Sequence, residues 1–369
     1  MASRERLLAA LRGETPDRVP IWAWGVHPWL GPVHASVQPV VDAYLERGDT
    51  LHWWGADAGV FLTASDQVSV TVERRPYRRG YEEHVATYAT PAGPLTEVTT
   101  VSLEGKPGYR RKYLLETEED VERLLSVPYV PPRPDCSGFF EADRALGDRG
   151  LPMVSVPSDP MYFLNNLTGS ETFAVWSIEK RGLVEELIGV FSRRILDWLE
   201  WVLSQGVGPL FGYVGPELCI PPLQSPRDFE EWVVGPDREL NERIHAAGGL
   251  ALVHCHGRMA PVLEGFVRMK ADALHPIEPP PMGNVTLAEA KRRVAGRLCI
   301  VGNIQEHDIW TMPTDRFREL VAETVKVGMA GGRFILSPTA TPFGWPTMAD
   351  LARENWIAML DVGLACGRY

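Results

Sequence analysis

The chain has 369 residues, a formal net charge of −11 and a hydrophobic fraction of 45%. That hydrophobic fraction is ordinary for a globular protein, and the lack of a basic excess argues against a nucleic-acid partner. No apolar run reaches the roughly 18 residues of a membrane span, and the charged N-terminus lacks the apolar core of a signal peptide. The five cysteines contain no C-x-x-C pair, which indicates reduced thiols. We therefore expect a cytoplasmic protein without a membrane partner.

The first part of the chain predicts one helix, two strands and a set of hairpins. Residues 4–12 carry leucines at helical spacing, and Gly13 follows them. The apolar runs 19–24 and 58–63 predict buried strands. From residue 68 to about residue 130, alternating valines interrupted by glycine and proline predict antiparallel hairpins. Because this stretch has few apolar residues, we interpret 68–134 as an insertion in a single domain covering 1–369.

The remainder alternates short apolar runs with helical patterns. Strands are predicted at 153–156, 210–214, 250–253, 273–277, 298–301 and 333–336. Amphipathic spacing predicts helices at 184–202 and 259–269. Eight strands that alternate with helices favour an α/β fold, a (β/α)8 TIM barrel with an N-terminal helix and a hairpin insertion. A doubly wound sheet would need a glycine-rich phosphate loop after the first strand, and none is present. We therefore expect no nucleotide cofactor.

The sharpest candidate site is His254-Cys255-His256-Gly257, directly after a predicted strand. Barrel enzymes build their active sites at the carboxyl ends of strands, and residues i and i+2 of a strand project to one side. Two imidazoles on one side begin a zinc site, which typically needs a third protein donor. Glu278 ends the next predicted strand and Glu217 the preceding one, so either carboxylate would complete it. Alternatively, both histidines belong to a polar pocket that holds no metal.

Other candidates follow the remaining strands. Asp159 is predicted to bind substrate or to orient a histidine. Trp24 and His27 lie in the first loop, where several tryptophans would form an aromatic substrate wall or simply pack the barrel. Tyr162 would line the same pocket.

Two polar residues complete the predicted binding set. Arg258, at the start of the predicted helix after the histidines, would bind a substrate carboxylate unless it is an ordinary surface arginine. Asn303 would donate its amide to substrate or cap a turn.

Several segments resemble the uroporphyrinogen decarboxylase superfamily. They are RERLLAALRGE at 4–14, PDRVP at 16–20, SPRDFEE at 225–231, HCHG at 254–257 and GNI at 302–304. The resemblance covers nearly the whole chain and implies a TIM barrel, a small-molecule substrate and a homodimer. It does not fix the reaction, because the superfamily includes both decarboxylases and methyltransferases.

Departures from the two branches bear on the reaction. The decarboxylases carry an Arg-Gln-Ala-Gly-Arg segment where this chain has WGVHPWLG at 24–31, and their late Gly-His-Gly is also missing. The methyltransferases have a His-x-Cys-Gly zinc motif. His254 and Gly257 match that motif, His256 stands at the cysteine position, and the later cysteine is missing around 339–341. The resemblance thus supports a zinc site at His254 and His256, and the strand-end position of Glu278 makes it our predicted third ligand.

Three hypotheses follow. The first is metal-dependent methyl transfer, or Lewis-acid cleavage of a small substrate, at His254, His256 and a strand-end glutamate. A corrinoid protein or a thiol would then be the methyl partner. The second is a metal-independent decarboxylase of a small or tetrapyrrole-like acid, in which Arg258 or Asp159 handles the carboxylate. The third is a ligand-binding barrel without catalysis.

Overall fold

The computed structural model describes residues 1–344 and 346–369. Two compact units are formed. One comprises Met1–Gly55, Cys136–Val156 and Leu203–Tyr369, and the other comprises Ala56–Asp135 and Pro157–Val202. The single domain expected over 1–369 stays a prediction. Within the described residues, no helix is long and apolar enough to cross a membrane.

Strands and helices alternate through most of the chain. The strands are β1 (Thr50–Gly55), β2 (Ser69–Arg78), β3 (Tyr81–Ala89), β4 (Leu95–Ser102), β5 (Tyr109–Lys112), β6 (Gly150–Ser155), β7 (Leu210–Val214), β8 (Leu250–His254), β9 (Ala273–His275), β10 (Cys299–Ile304) and β11 (Phe334–Pro338). The α-helices are α1 (Ser3–Arg12), α2 (Gln38–Arg47), α3 (Glu118–Leu125), α4 (Ser137–Leu146), α5 (Pro160–Glu179), α6 (Arg181–Ser204), α7 (Pro226–Phe229), α8 (Gly235–Ala246), α9 (Leu263–Arg268), α10 (Leu287–Val294), α11 (Glu306–Thr311), α12 (Thr314–Met329) and α13 (Asp350–Cys366).

The first unit is built on a parallel sheet, as the strand–helix alternation predicts. Among the described residues it has seven strands in the order β1-β6-β7-β8-β9-β10-β11. Six of these strands coincide with predicted runs, and their bodies are apolar and almost entirely buried. A fully buried core cluster lines the sheet and includes Leu51, Met153, Leu210, Leu252, Val301 and Ile335.

The segment predicted as the first strand, residues 19–24, lies between β11 and the residue that precedes β1, the two end strands of this sheet. Ile21 forms an isolated parallel bridge with Leu336. The amide of Trp22 donates to the Leu336 carbonyl over 2.9 Å, and the amide of Asp49 donates to the Ile21 carbonyl over 2.8 Å. Asp49 also accepts hydrogen bonds from two arginines, Arg6 and Arg18. A continuous strand over 19–24 is not formed, and closure into eight strands stays a prediction.

Two local predictions were wrong. Residues 58–63 form a tight turn rather than a strand, because Phe61 and Leu62 both have positive φ angles, of 54° and 58°. The first strand of the chain is instead Thr50–Gly55. The helix predicted over 259–269 spans only Leu263–Arg268, and residues 260–262 form a turn before it.

The second unit contains the predicted hairpins. Strands β2, β3, β4 and β5 form an antiparallel sheet in that order. Phe61 stacks on Tyr88 of this sheet with ring centroids 5.4 Å apart. The buried Arg194 on α6 donates to the Phe61 carbonyl over 2.7 Å, which ties the turn to the long helix.

Candidate active site

Two histidines meet at the carboxyl ends of neighbouring strands of the parallel sheet. His254 ends β8 and His275 ends β9, and the strand register sets these residues side by side. Their Nδ1 atoms are 2.9 Å apart, and the rings stack with centroids 5.1 Å apart. His275 is fully buried, and the Pro338 carbonyl lies 3.0 Å from its Nε2. A continuous chain of polar atoms therefore runs from β11 through His275 to His254.

Hydrogen bonding assigns the tautomers in this chain. Burial lowers the pKa of His275 to about 3, so the ring is neutral. Its Nε2 donates to the Pro338 carbonyl, which leaves Nδ1 as an acceptor. His254 must then donate from Nδ1. Because burial and the neighbouring histidines hold the pKa of His254 well below its ordinary value, this ring is also neutral. The Nε2 atom of His254 consequently keeps a lone pair.

His256 is oriented by a carboxylate. Its Nδ1 lies 3.2 Å from Oε1 of Glu278, and Oε2 of the same carboxylate accepts the Gly257 amide over 2.7 Å. Burial raises the pKa of Glu278, but the hydrogen bonds from His256 and Gly257 outweigh it, so the pKa lies below its ordinary value. The His256 ring stands at 4.6 Å from the His254 ring and is 38% exposed. Glu278 thus holds His256 in the way that second-shell carboxylates hold metal-binding histidines.

Glu217 supplies a second carboxyl group beside the histidines. It lies in a 3₁₀ turn, Pro216–Cys219, directly after β7. Burial raises the pKa of Glu217, and the charge of Glu278 adds to the effect, while backbone hydrogen bonds and His256 oppose it. Its Oε2 atom is buried without a hydrogen-bond partner among the described residues. A buried carboxylate oxygen without a partner is costly, which marks this atom as a position for a ligand, metal ion or water.

Aromatic rings also pack against His254. The indole of Trp24 lies 4.6 Å from the His254 ring and 4.9 Å from the His275 ring. Trp22 stacks on Trp24 at 5.3 Å, and Trp53 of β1 lies at 5.3 Å from it. Trp22 is buried, whereas Trp24 and Trp53 stay partly exposed. Three of the predicted tryptophans, Trp22, Trp24 and Trp53, therefore come together beside His254, and their role as a substrate wall stays a prediction.

The donor chemistry fits zinc in part. The imidazole nitrogens of His254 and His256 and the unpartnered oxygen of Glu217 are ligands of the kind that zinc takes. The described part of the chain nevertheless contains no group of three His, Cys, Asp or Glu side chains arranged around one point. Both oxygens of Glu278, the predicted third ligand, are engaged with His256 and Gly257. Its role as a ligand stays a prediction.

Two predicted site residues belong to the second unit. Asp159 is the N-cap of α5, where its Oδ1 accepts the Tyr162 amide over 2.7 Å. This capping bond fixes the start of the helix. The catalytic role predicted for Asp159 and the binding role predicted for Tyr162 stay predictions.

The other predicted binding residues occupy different surroundings. Arg258 is exposed and lies in the loop before α9, not in the helix that the sequence predicts. Asn303 lies inside β10, where it lines a cavity next to Leu287 and Leu320 of two outer helices. It does not cap a turn.

His27 forms a separate aromatic group. Its ring lies 4.5 Å from the His52 ring, and Trp29 lies 4.8 Å from His52. Along β1, His52 projects opposite to Trp53, because successive side chains of a strand alternate between faces. His27 therefore packs on the other face of β1 from the Trp24 cluster.

Sequence analysis missed His275 as a site residue and did not place Trp53 in a strand. A signal for His275 was present, since it ends a predicted strand next to the one that ends in His254. Without the register of β8 and β9, however, the two rings had no reason to be paired. Trp53 was placed outside the strands because the run 50–55 contains a histidine and two tryptophans.

Comparisons with known proteins point to one family. The family model described as uroporphyrinogen decarboxylase matches residues 97–345. Two proteins named methylcobamide:CoM methyltransferase MtaA, from Methanosarcina barkeri strain Fusaro / DSM 804 and from Methanosarcina barkeri, are each 21% identical over 188 residues. Those alignments cover 51% of this chain and 52% of each relative, so they span about half the length of the relatives. A solved methyltransferase from Methanosarcina mazei has the same fold, with a TM-score of 0.60, 16% identity and 99% coverage of both chains.

Proposed function

The chain belongs to the uroporphyrinogen decarboxylase family, and from this premise we propose that it transfers a methyl group between a small substrate and a corrinoid partner. The observation that carries the proposal is the pair His254 and His256, each held through Nδ1 by a buried partner. Such a pair suits a catalytic centre better than a packing role. The names of the two Methanosarcina relatives support methyl transfer over decarboxylation.

The surroundings of His254 and His256 also support methyl transfer over decarboxylation. A decarboxylase site would need a cation to bind the substrate carboxylate. In the described part of the chain, no lysine or arginine forms an ion pair with Glu217 or Glu278, and Arg258 is exposed.

We also propose that the segment around Ile21 completes the barrel at its eighth position, as its hydrogen bonds to both neighbours support.

The metal is part of the proposal. Nε2 of His254 and Nε2 of His256 would hold zinc, with Glu217 or Glu278 as the carboxylate donor. When bound, zinc supplies Lewis acidity and lowers the pKa of a coordinated group. His275 and Glu278 keep the two imidazoles in the donor tautomer. The expected homodimer and the cytoplasmic location stay predictions.

Where Glu278 is the carboxylate donor, Glu217 is free to handle protons. Its raised pKa brings the carboxyl group closer to neutral pH, where a general acid or base works best. For a substrate that accepts the methyl group through a protonated heteroatom, such as a thiol, Glu217 takes the proton as the new bond to carbon forms. His254, with its lowered pKa, stays neutral throughout.

Two variants and a control test the proposal. Free methylcobalamin and a small thiol serve as the probe, and the loss of the methyl–cobalt absorbance measures transfer. We expect His256→Ala and Glu217→Gln to lower the rate by about 100-fold or more. His34→Ala, which alters an exposed histidine, should leave the rate unchanged. Full activity in His256→Ala would refute the proposal.

Metal content and carbon dioxide release separate the alternatives. Zinc that is present at about one equivalent in the wild type and lost in a His254→Ala/His256→Ala double variant would support the metal-dependent form. Release of carbon dioxide from a small carboxylic acid that survives chelation would instead support the decarboxylase. Specific ligand binding without turnover would support a non-catalytic barrel.

A further inference from the structure

Another cavity lies at the opposite edge of the parallel sheet from the candidate active site. It is formed by the loops that precede β10 and β11 and by the last turn of α10. Because the strands are parallel and His254 lies at the carboxyl end of β8, this cavity lies at the amino ends of the strands. Its volume of about 350 Å³ suits a small molecule.

The ionisable side chains that line this cavity are all basic. They are Lys291 and Arg292 of α10 and Arg333, which directly precedes β11. Within the described residues, no aspartate or glutamate contributes to the lining. Three positive charges therefore surround one cavity in a chain whose net charge is −11.

Carboxylates do not neutralise these three cations in the part of the chain that the structure describes. The ammonium of Lys291 donates to the carbonyls of Gly328 and Gly332 over 2.6 and 2.5 Å. Arg333 donates to the last two carbonyls of α1 over 3.1 and 2.9 Å. Arg292 is exposed and has neither a hydrogen bond nor an ion pair from its side chain to a described residue. Since an ammonium has three N–H groups, Lys291 keeps one donor for a ligand.

Helix capping explains part of this arrangement. Basic residues in the last turn of α10 interact favourably with the helix dipole, and Arg333 satisfies the terminal carbonyls of α1. Neither role explains why cations from two separate elements line one cavity without a counter-ion. Like charges around a cavity repel one another, and an anion bound among them relieves that repulsion.

The loop before β11 leaves room for such an anion. Gly331 and Gly332 have φ angles of 74° and 68°, a conformation that glycine adopts at no steric cost. A Cβ atom added at either position would meet no other heavy atom within 4 Å. The backbone beside the three cations is therefore open to a ligand.

We infer that this cavity binds the phosphate group of a small phosphorylated molecule, at a site separate from the candidate active site and independent of methyl transfer. A phosphate monoester carries about two negative charges at neutral pH and three strong acceptor oxygens. Arginine binds phosphate through its planar fork, and lysine binds it as a point charge. A monocarboxylate carries one charge and would leave two of the three cations without a counter-ion.

Binding of inorganic phosphate and of ribose 5-phosphate tests the inference, with ribose as the neutral counterpart. In titration calorimetry with a chelator present, both phosphates should bind, and ribose 5-phosphate should bind at least about 10-fold more tightly than ribose. The affinity should fall as the salt concentration rises. Equal affinity for ribose and ribose 5-phosphate, or no binding of either phosphate at millimolar concentrations, would overturn the inference.

Variants locate the phosphate. Arg292→Gln should weaken ribose 5-phosphate binding about 10-fold and leave the unfolding free energy unchanged, because the Arg292 side chain has no protein partner to lose. Lys291→Gln keeps an amide donor for the carbonyls and should weaken binding similarly. Arg316→Gln is the matched control, since it removes the same charge from an exposed position on α12 outside the cavity. Unchanged affinity in both Arg292→Gln and Lys291→Gln would refute the site.

The double variant His254→Ala/His256→Ala separates this site from the candidate active site. It removes both predicted metal-binding imidazoles and leaves the amino ends of β10 and β11 untouched, so it should bind ribose 5-phosphate as the wild type does. Loss of binding in this variant would place the phosphate at the candidate active site and contradict the inference.

Discussion

The neutral state of His275 makes the stability of the protein depend on pH in a specific way. Its pKa is about 3 in the folded protein and about 6.5 in an unfolded chain. Between these values the unfolded state binds a proton that the folded state does not. The stability that His275 contributes is therefore complete above pH 6.5 and is lost progressively as the pH falls toward 3. From pH 7 to pH 5 this one histidine costs about 2 kcal/mol of unfolding free energy.

His275→Gln isolates this contribution. A glutamine amide retains a donor for the Pro338 carbonyl and an acceptor for His254 but does not titrate. Urea unfolding followed by tryptophan fluorescence, near pH 7 and near pH 5 with a chelator present, gives the free energies. On acidification, the variant should lose about 2 kcal/mol less than the wild type. His34→Gln, at an exposed histidine, is the control and should behave as the wild type. An equal loss in His275→Gln and the wild type would refute the neutral, buried assignment.

Two further substitutions and one thiol titration test the packing of the first unit. In Gly212→Ala, the new Cβ would lie 2.8 Å from the indole of Trp53, so we expect a loss of about 1–3 kcal/mol in urea unfolding and a shifted tryptophan emission. Asp49→Asn removes the buried partner of two arginines and should cost about 3–5 kcal/mol, whereas Asp361→Asn, at a half-exposed pair, should cost under about 1 kcal/mol. A chromogenic disulfide reagent should titrate Cys366 quickly and the buried thiols only after unfolding; several fast thiols would contradict the burial of the rest.

Local sequence patterns predicted much of the fold. Apolar runs bounded by glycine and proline predicted six strands of the parallel sheet, since strands buried on both faces need nearly continuous apolar residues. Alternation predicted the antiparallel sheet. The failures occurred where a local pattern is ambiguous. Residues 58–63 are as apolar as a strand, yet positive φ angles at Phe61 and Leu62 turn the chain. Thr50–Gly55 was not predicted as a strand because the polar residues Thr50 and His52 interrupt its apolar ones.

The sequence by itself determined the position of the candidate site. The strand–helix alternation put His254, His256, Glu217 and Glu278 at strand ends, and the strand period put both histidines on one side. The tertiary structure decided how their atoms are used. The register of β8 against β9 sets His275 beside His254, and the Pro338 carbonyl on β11 then fixes which nitrogen carries each proton. These choices depend on partners 21 and 63 residues away along the chain, and local periodicity holds no information about pairing at such distances.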